Sequence, residues 1–433
     1  LQYAGGIEYR KEIANHQFDP LYNTKQNGFI QEADIKGDIT TKEAYSEVNV
    51  PLLSDLPGIE SLSVRVAGRV SNYSTLGSFT AYNYGLEWSP IDSLRFRAVY
   101  AHAVRAPNVG ELFRPSAAGV TSIVDPCNGI SLGDTGTVAT QCLADSGVVQ
   151  NANDNGGTVT FIQTDFQGVG TLSTVNPNIQ EETATTKTFG LVWTPSFVPG
   201  LSGTIDYYDI KLDDAISSVS TQFVLDQCYQ EGNNAFCSLI SRRPAAAAPA
   251  SAGSVQLIKY GLVNSGGAFA KGVDLTASYG FDLGAGTMTA DLSYTHLIDQ
   301  GVIPQIGAAV NKQEGEVGYP TNKALITLGY DNGPWRFAAT NQWIGKAYID
   351  DQFLLSRFGP DTNIHNSHFA FSSELYTDLR VRYRVKDKYD LFVGANNLFD
   401  VQPPTILSGI PGNRNGNYDV IGRFYYLGLS AQL

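Results

Sequence analysis

No run of roughly 18 or more apolar residues occurs anywhere in the chain, so it encodes no transmembrane helix. That excludes a helical membrane protein but not a barrel. Barrel strands meet lipid only at every second residue, and their hydropathy averages to near neutral. Basic residues are few beside acidic ones, 29 against 42, which excludes nucleic acid as a partner because little would neutralise phosphates. There is no Gly-rich phosphate loop, no nucleophile elbow and no H-E-x-x-H pair, so neither enzymatic activity nor a bound cofactor is expected. Cysteine is limited to four, in two local pairs set in polar stretches, Cys127/Cys142 and Cys228/Cys237. Neither pair has CxxC spacing or a histidine at zinc-ligand distance, so they read as two disulfides formed in an oxidising compartment. The first would close a loop of about 15 residues, worth about 3 kcal/mol in the chain-entropy picture.

What is abundant points to strands. Gly (44), Tyr (23) and Phe (21) interleave with Thr, Val and Leu, a mixture that favours strands and turns. At the end of the chain Tyr425, Leu427, Leu429, Ala431 and Leu433 fall on one face, with Tyr426, Gly428, Ser430 and Gln432 on the other. A strand of this kind suits the closing strand of a transmembrane β-barrel. Fourteen such segments recur, at 2–12, 42–53, 60–73, 78–90, 93–105, 182–195, 201–214, 268–281, 286–298, 322–331, 333–346, 370–385, 388–399 and 421–433. In one of the cleanest, Leu379, Val381, Tyr383 and Val385 oppose Asp378, Arg380, Arg382 and Arg384. Short connections (54–59, 91–92, 196–200, 282–285, 386–387) alternate with long ones (13–41, 106–181, 215–267, 299–321, 347–369, 400–420), with 74–77 the exception. Long loops on one side and tight turns on the other is the asymmetry of outer-membrane barrels. Residues 255–263 alternate in part and are expected to extend the 268–281 strand above the membrane. The Ala-rich tract 243–250 and the Asn/Gly-rich stretches 150–157 and 412–417 are expected to be loops.

Particular motifs sharpen this. Arg105-Ala106-Pro107-Asn108-Val109-Gly110-Glu111-Leu112-Phe113, directly after a strand, resembles the "fRAPnixELf" element of TonB-dependent outer-membrane receptors. Glu43-Ala44-Tyr45-Ser46-Glu47, Asn176-Pro177-Asn178-Ile179-Gln180-Glu181-Glu182, Asp206-Tyr207-Tyr208-Asp209-Ile210, Gly272-Val273-Asp274 and Asn396-Asn397-Leu398-Phe399-Asp400 follow in family order. The last eight residues are similar to the β-signal read by the barrel-assembly machinery, although Leu433 stands where an aromatic is usual. The resemblance implies an all-β, transmembrane antiparallel β-barrel in a Gram-negative outer membrane. Its long loops would be extracellular, its short turns and C-terminus periplasmic, and lipid and lipopolysaccharide would surround it. It implies active uptake of a scarce small-molecule solute, an oligosaccharide or a ferric siderophore, driven by the TonB complex through a plug. Barrels of this class have about 22 strands. The fourteen found match the last fourteen, so residues 1–433 are expected to be a C-terminal portion, with the plug and about eight strands preceding Leu1.

Candidate site residues follow from the same frame. Arg95, Arg97, Arg380, Arg382 and Arg384 should face the lumen, because charge on the lipid face costs several kcal/mol at mid-depth. They would form a basic wall that pairs with plug carboxylates or, in a porin, attracts anions. Arg105, Asn108, Glu111 and Phe113 open the largest loop, where they either contact the solute or support the fold, Arg105 by satisfying backbone at the strand top. His365, His368 and Asp361 share a polar loop and either ligate a metal or are solvated. Two rival architectures stay open. One is a passive porin-type channel of about fourteen strands, in which 2–12 pairs with 421–433; the other is a surface adhesion barrel.

Overall fold

The computed structural model describes residues 1–20, 34–176, 178–246, 250–305, 308–351, 354, 369–386, 388–404 and 417–431. Fourteen strands dominate it: β1 (Gln2–His16), β2 (Ile35–Leu56), β3 (Ile59–Tyr73), β4 (Gly77–Ile91), β5 (Leu94–Arg105), β6 (Glu182–Trp193), β7 (Leu201–Ser218), β8 (Val255–Leu283), β9 (Gly286–Ile303), β10 (Asn322–Asn332), β11 (Trp335–Ile344), β12 (Glu374–Val385), β13 (Tyr389–Asn396) and β14 (Phe424–Ala431). They correspond one to one with the fourteen alternating segments. Each pairs antiparallel with the next, from β1 to β14, in an unbroken meander. Among the described residues no ladder joins β1 to β14, so the pairing that a complete fourteen-stranded porin would need is not formed.

Register sorts the side chains by face. Tyr279, Ala290, Leu328, Ala339, Leu379, Ala395 and Tyr425 are successive cross-strand partners from β8 to β14, and all share one face. The neighbouring row, Ser278, Asp291, Thr327, Thr340 and Asp378, occupies the other. On the apolar face Ile7, Phe189 and Leu427 remain 88%, 60% and 82% exposed. A water-soluble sandwich would bury such a face, and lipid is the solvent that suits it. Trp335 packs against Tyr383 (centroids 4.6 Å apart) and Trp88 against Phe96 (5.3 Å), near the short turns. Aromatic girdles belong at that level.

The two longest connections are not open loops. Residues 106–181 and 215–267 fold together around one core, in which Val148, Val159 and Phe161 of the first pack with Phe223, Leu225 and Ile258 of the second. A small sheet underlies it. The strand Ala117–Thr121 pairs antiparallel with Val169–Thr174, which runs parallel to residues 257–261 of β8, and Ile240–Arg242 pairs on the far side. Residues 255–263 therefore do extend the 268–281 strand, and β8 is continuous over 29 residues. Both expected disulfides form, Cys127–Cys142 and Cys228–Cys237, with Cα atoms 5.5 and 4.7 Å apart. The stretch 150–157, read from sequence as loop, instead carries the end of the helix Ser146–Asp154. Asp145 starts that helix by accepting from the backbone N–H groups of Gly147 and Val148, satisfying two otherwise orphaned donors. In the 243–250 tract, Arg243 is tied by its backbone to Gly253 and Ser254, whereas 247–249 lie outside the described residues. The same holds for His365, His368, Asp361, 412–416, Gln432 and Leu433.

Candidate functional site

Where β5 ends and β6 begins, the register sets Arg105 opposite Glu182. The Arg105 guanidinium donates to Glu182 and, through two nitrogens, to both oxygens of Glu111 at 3.1 Å. Glu111 also accepts from the Asn108 backbone N–H (2.7 Å), while the Asn108 side chain accepts from the Glu111 N–H (3.0 Å). This reciprocal capping box starts the short helix Val109–Phe113. Glu182 has a second role, accepting the Ile216 N–H from β7 (2.7 Å). Of the two roles left open from sequence, one had Arg105 satisfying backbone groups; it binds carboxylates instead, because two converge on it and an ion pair is stronger than a neutral hydrogen bond. Phe113 lies over Gly37 of β2, and its ring occupies the space that a Cβ at position 37 would fill. Glu111 and Phe113 thus tie the start of the largest loop to β5 and β2. Glu182 stood in a family motif, but its pairing with Arg105 was not legible from sequence, since 77 residues separate the two.

All five arginines expected to face the lumen lie on the polar face, and carboxylates stand among them. Arg97 binds Asp206 (2.9 and 2.6 Å), Arg95 approaches Glu87 (3.9 Å) and Arg384 binds Asp390 (2.9 Å). Arg382 lies between Asp331 (4.0 Å) and Asp390 (3.7 Å), and Arg380 covers the ring of Phe392 at 4.4 Å. Further along, Arg69 pairs with Glu43 and Arg65 with Glu47. The wall alternates in charge rather than being uniformly basic. Small residues such as Gly190 make room for these pairs, since a Cβ there would collide with Asp206 and Arg97.

In the loop body a buried ion pair joins the two connections. Arg242 donates to both oxygens of Asp125 at 2.7 Å, to the Tyr229 hydroxyl (2.7 Å) and to the Gly253 carbonyl (2.7 Å). Its guanidinium carbon stands 4.8 Å from the centre of the Tyr229 ring. Burial opposes the charge, but the bonds to Asp125 outweigh it and hold Arg242 ionised above its ordinary range. At the base of this body a cleft of about 430 Å³ opens, lined among others by Phe18, Arg114, Val120, Asn176, Tyr260 and Leu262.

A second group was not anticipated. The carboxylates of Glu316, Asp350 and Asp351 converge within 4.8 Å of one another, and Glu316 accepts the Asp351 backbone N–H (3.0 Å). Burial, reinforced by the two neighbouring charges, pushes the Glu316 carboxyl up to about 7. A carboxyl raised in the folded state binds more protons there than in the unfolded chain, so burying this cluster is most favourable below the ordinary carboxyl range, even though the Asp351 N–H itself favours the ionised form. That stability is lost as pH rises through about 7. Hydrogen exchange of the Asp351 amide, corrected for intrinsic rate, should therefore show greater protection at pH 5 than at pH 8. Glu316→Gln should flatten that difference, and equal protection at both pH values in the parent protein would count against the assignment.

The model of a family described as TonB dependent receptor-like, beta-barrel, matches residues 1–398. No curated protein matches. The ferric enterobactin receptor PfeA of Pseudomonas aeruginosa is 16% identical with a TM-score of 0.58, covering 99% of this chain and 51% of that one. The siderophore receptor PirA of Acinetobacter baumannii is 15% identical with a TM-score of 0.59, over 99% and 51%. The chain spans about half the length of these solved structures. At such identities the likeness is one of fold.

Proposed function

The chain belongs to the TonB-dependent receptor-like β-barrel family, and we propose that it forms fourteen adjacent strands of the wall of a receptor that takes up a scarce solute. Members of this family are outer-membrane receptors and transporters rather than enzymes. The observation that carries the proposal is the unbroken antiparallel meander, apolar and exposed on one face and charged on the other. A larger barrel of about 22 strands would enclose a plug and would pair the outer edges of β1 and β14, whose backbone groups cannot face lipid unsatisfied. In that setting the long connections and both disulfides lie outside the cell, and the short turns and C-terminus lie in the periplasm. Arg95, Arg97, Arg380, Arg382 and Arg384 line the lumen, offering the plug a wall of alternating charge. Arg105, Asn108, Glu111 and Phe113 hold the mouth in shape around the solute. A TonB complex acts through the plug, and the barrel-assembly machinery inserts the chain among lipid and lipopolysaccharide.

The solute is a ferric siderophore or an oligosaccharide. The siderophore receptors among the solved structures support the first. Uptake of radiolabelled ferric enterobactin and of a labelled maltodextrin by cells with and without the receptor gene tests this. Accumulation of one of them, lost on deletion and lost when the proton gradient is collapsed, is the expected result. Flux that persists without the gradient would identify a passive channel instead.

A further inference from the structure

The small sheet at the base of the loop body ends in an unpaired strand. Ala117–Thr121 pairs only with Val169–Thr174, and among the described residues nothing pairs with its outer edge. Both the N–H and the carbonyl of Ala117 point to its partner strand, toward the Ser173 hydroxyl. Antiparallel alternation then directs the N–H and C=O groups of Ala118 and Val120 to the free edge. That edge borders the 430 Å³ cleft, whose walls include Ala117, Ala118, Gly119 and Val120. Three of these four are alanine or glycine, so an added strand could approach closely, and Val120 is left 71% exposed. Arg114 lines the same cleft three residues before the strand. Among the described residues it forms no ion pair.

We propose that this cleft binds the C-terminal tail of a partner protein, which adds to the sheet as an antiparallel strand along Ala117–Thr121 and places its terminal carboxylate on Arg114. Strand addition supplies backbone hydrogen bonds at the exposed edge, and the pockets beside it select alternate side chains. Charge sets the direction. An antiparallel guest brings its C-terminus to the Ala117 end, beside the guanidinium, whereas a parallel guest would bring an ammonium there. Among the described residues no carboxylate lines the cleft at its Thr121 end. Glu111, the one acidic residue lining the cleft among the described residues, is already held by Arg105. Recognition of one terminus only suits a tail that continues into a larger body.

The test is equilibrium binding to the receptor in detergent, which is independent of uptake and so fails separately from the transport reading. The probe is the pentapeptide acetyl-Thr-Val-Thr-Val-Val with a free C-terminus, compared with its C-terminal amide. The free acid should bind at least tenfold more tightly than the amide, and Arg114→Gln should abolish that difference. Val120→Pro removes an outward N–H at an edge position where proline is tolerated, and it should weaken both peptides at least tenfold while the Cys127–Cys142 bridge still forms. Equal binding of acid and amide, or binding indifferent to both variants, would overturn the proposal. So would tenfold tighter binding of the peptide with a free N-terminus, which would mark a free peptide as the guest. Absence of binding at millimolar peptide would overturn it as well.

Discussion

Asp125→Ala is expected to cost the loop body about 3–5 kcal/mol. Both side chains of the Asp125–Arg242 pair are only 2% exposed, so the variant leaves a guanidinium charge buried with no counter-charge. Among the described residues its remaining partners, the Tyr229 hydroxyl, the Gly253 carbonyl and the disulfide sulfur of Cys127, are neutral. Removing both charges at once, as Asp125→Leu with Arg242→Met, should be much milder. No ion is then stranded, and the residual cost is about 1–3 kcal/mol for the hydroxyl and carbonyl left without a partner. Amide exchange of Val224 and Leu225, buried in the helix Thr221–Tyr229, reads the effect directly. If Asp125→Ala changed their protection by less than about 1 kcal/mol, the pair would not be what joins the two connections.

That pair also shows where sequence reading stops. The fourteen strands were legible because lipid imposes alternation on every membrane-crossing segment, and the signal repeats along the whole chain. The faces were legible for the same reason: Leu379, Val381 and Tyr383 oppose Arg380, Arg382 and Arg384 in the sheet as they do in the string of letters. The Cys127–Cys142 and Cys228–Cys237 bridges could be anticipated because each closes a short local loop. Asp125 and Arg242, by contrast, are 117 residues apart. The strand Ala117–Thr121 is five residues long, too short for a period of two to register, and it pairs with residues about 50 positions on. Glu182 meets Arg105 only because the whole connection between them folds back on itself. Each of these contacts depends on long-range packing, which leaves no local periodicity behind.

The second large effect lies in the membrane, where neighbouring strands should respond very unequally to the same change. Leu379→Arg places a guanidinium in the apolar row that runs from Tyr279 to Tyr425, and it should cost about 2–4 kcal/mol if that row sits near mid-depth. Leu379 is 38% exposed in the isolated chain, so the cost does not come from overpacking; there is room for the side chain. It comes from lipid, which offers the charge neither water nor a carboxylate. Thr340→Arg is the control. Thr340 is the cross-strand partner of Asp378 on the polar face, one residue along from Leu379 in register. An arginine there gains a nearby carboxylate and a wet surrounding, and should change stability by less than about 1 kcal/mol. Urea unfolding of the receptor from phospholipid vesicles compares the two variants under one condition. In detergent the penalty at Leu379 should shrink, because a micelle deforms around a charge more readily than a bilayer does. Equal penalties at the two positions would mean that the faces are not divided between lipid and lumen, and the reading of the sheet as a membrane wall would fail with that result.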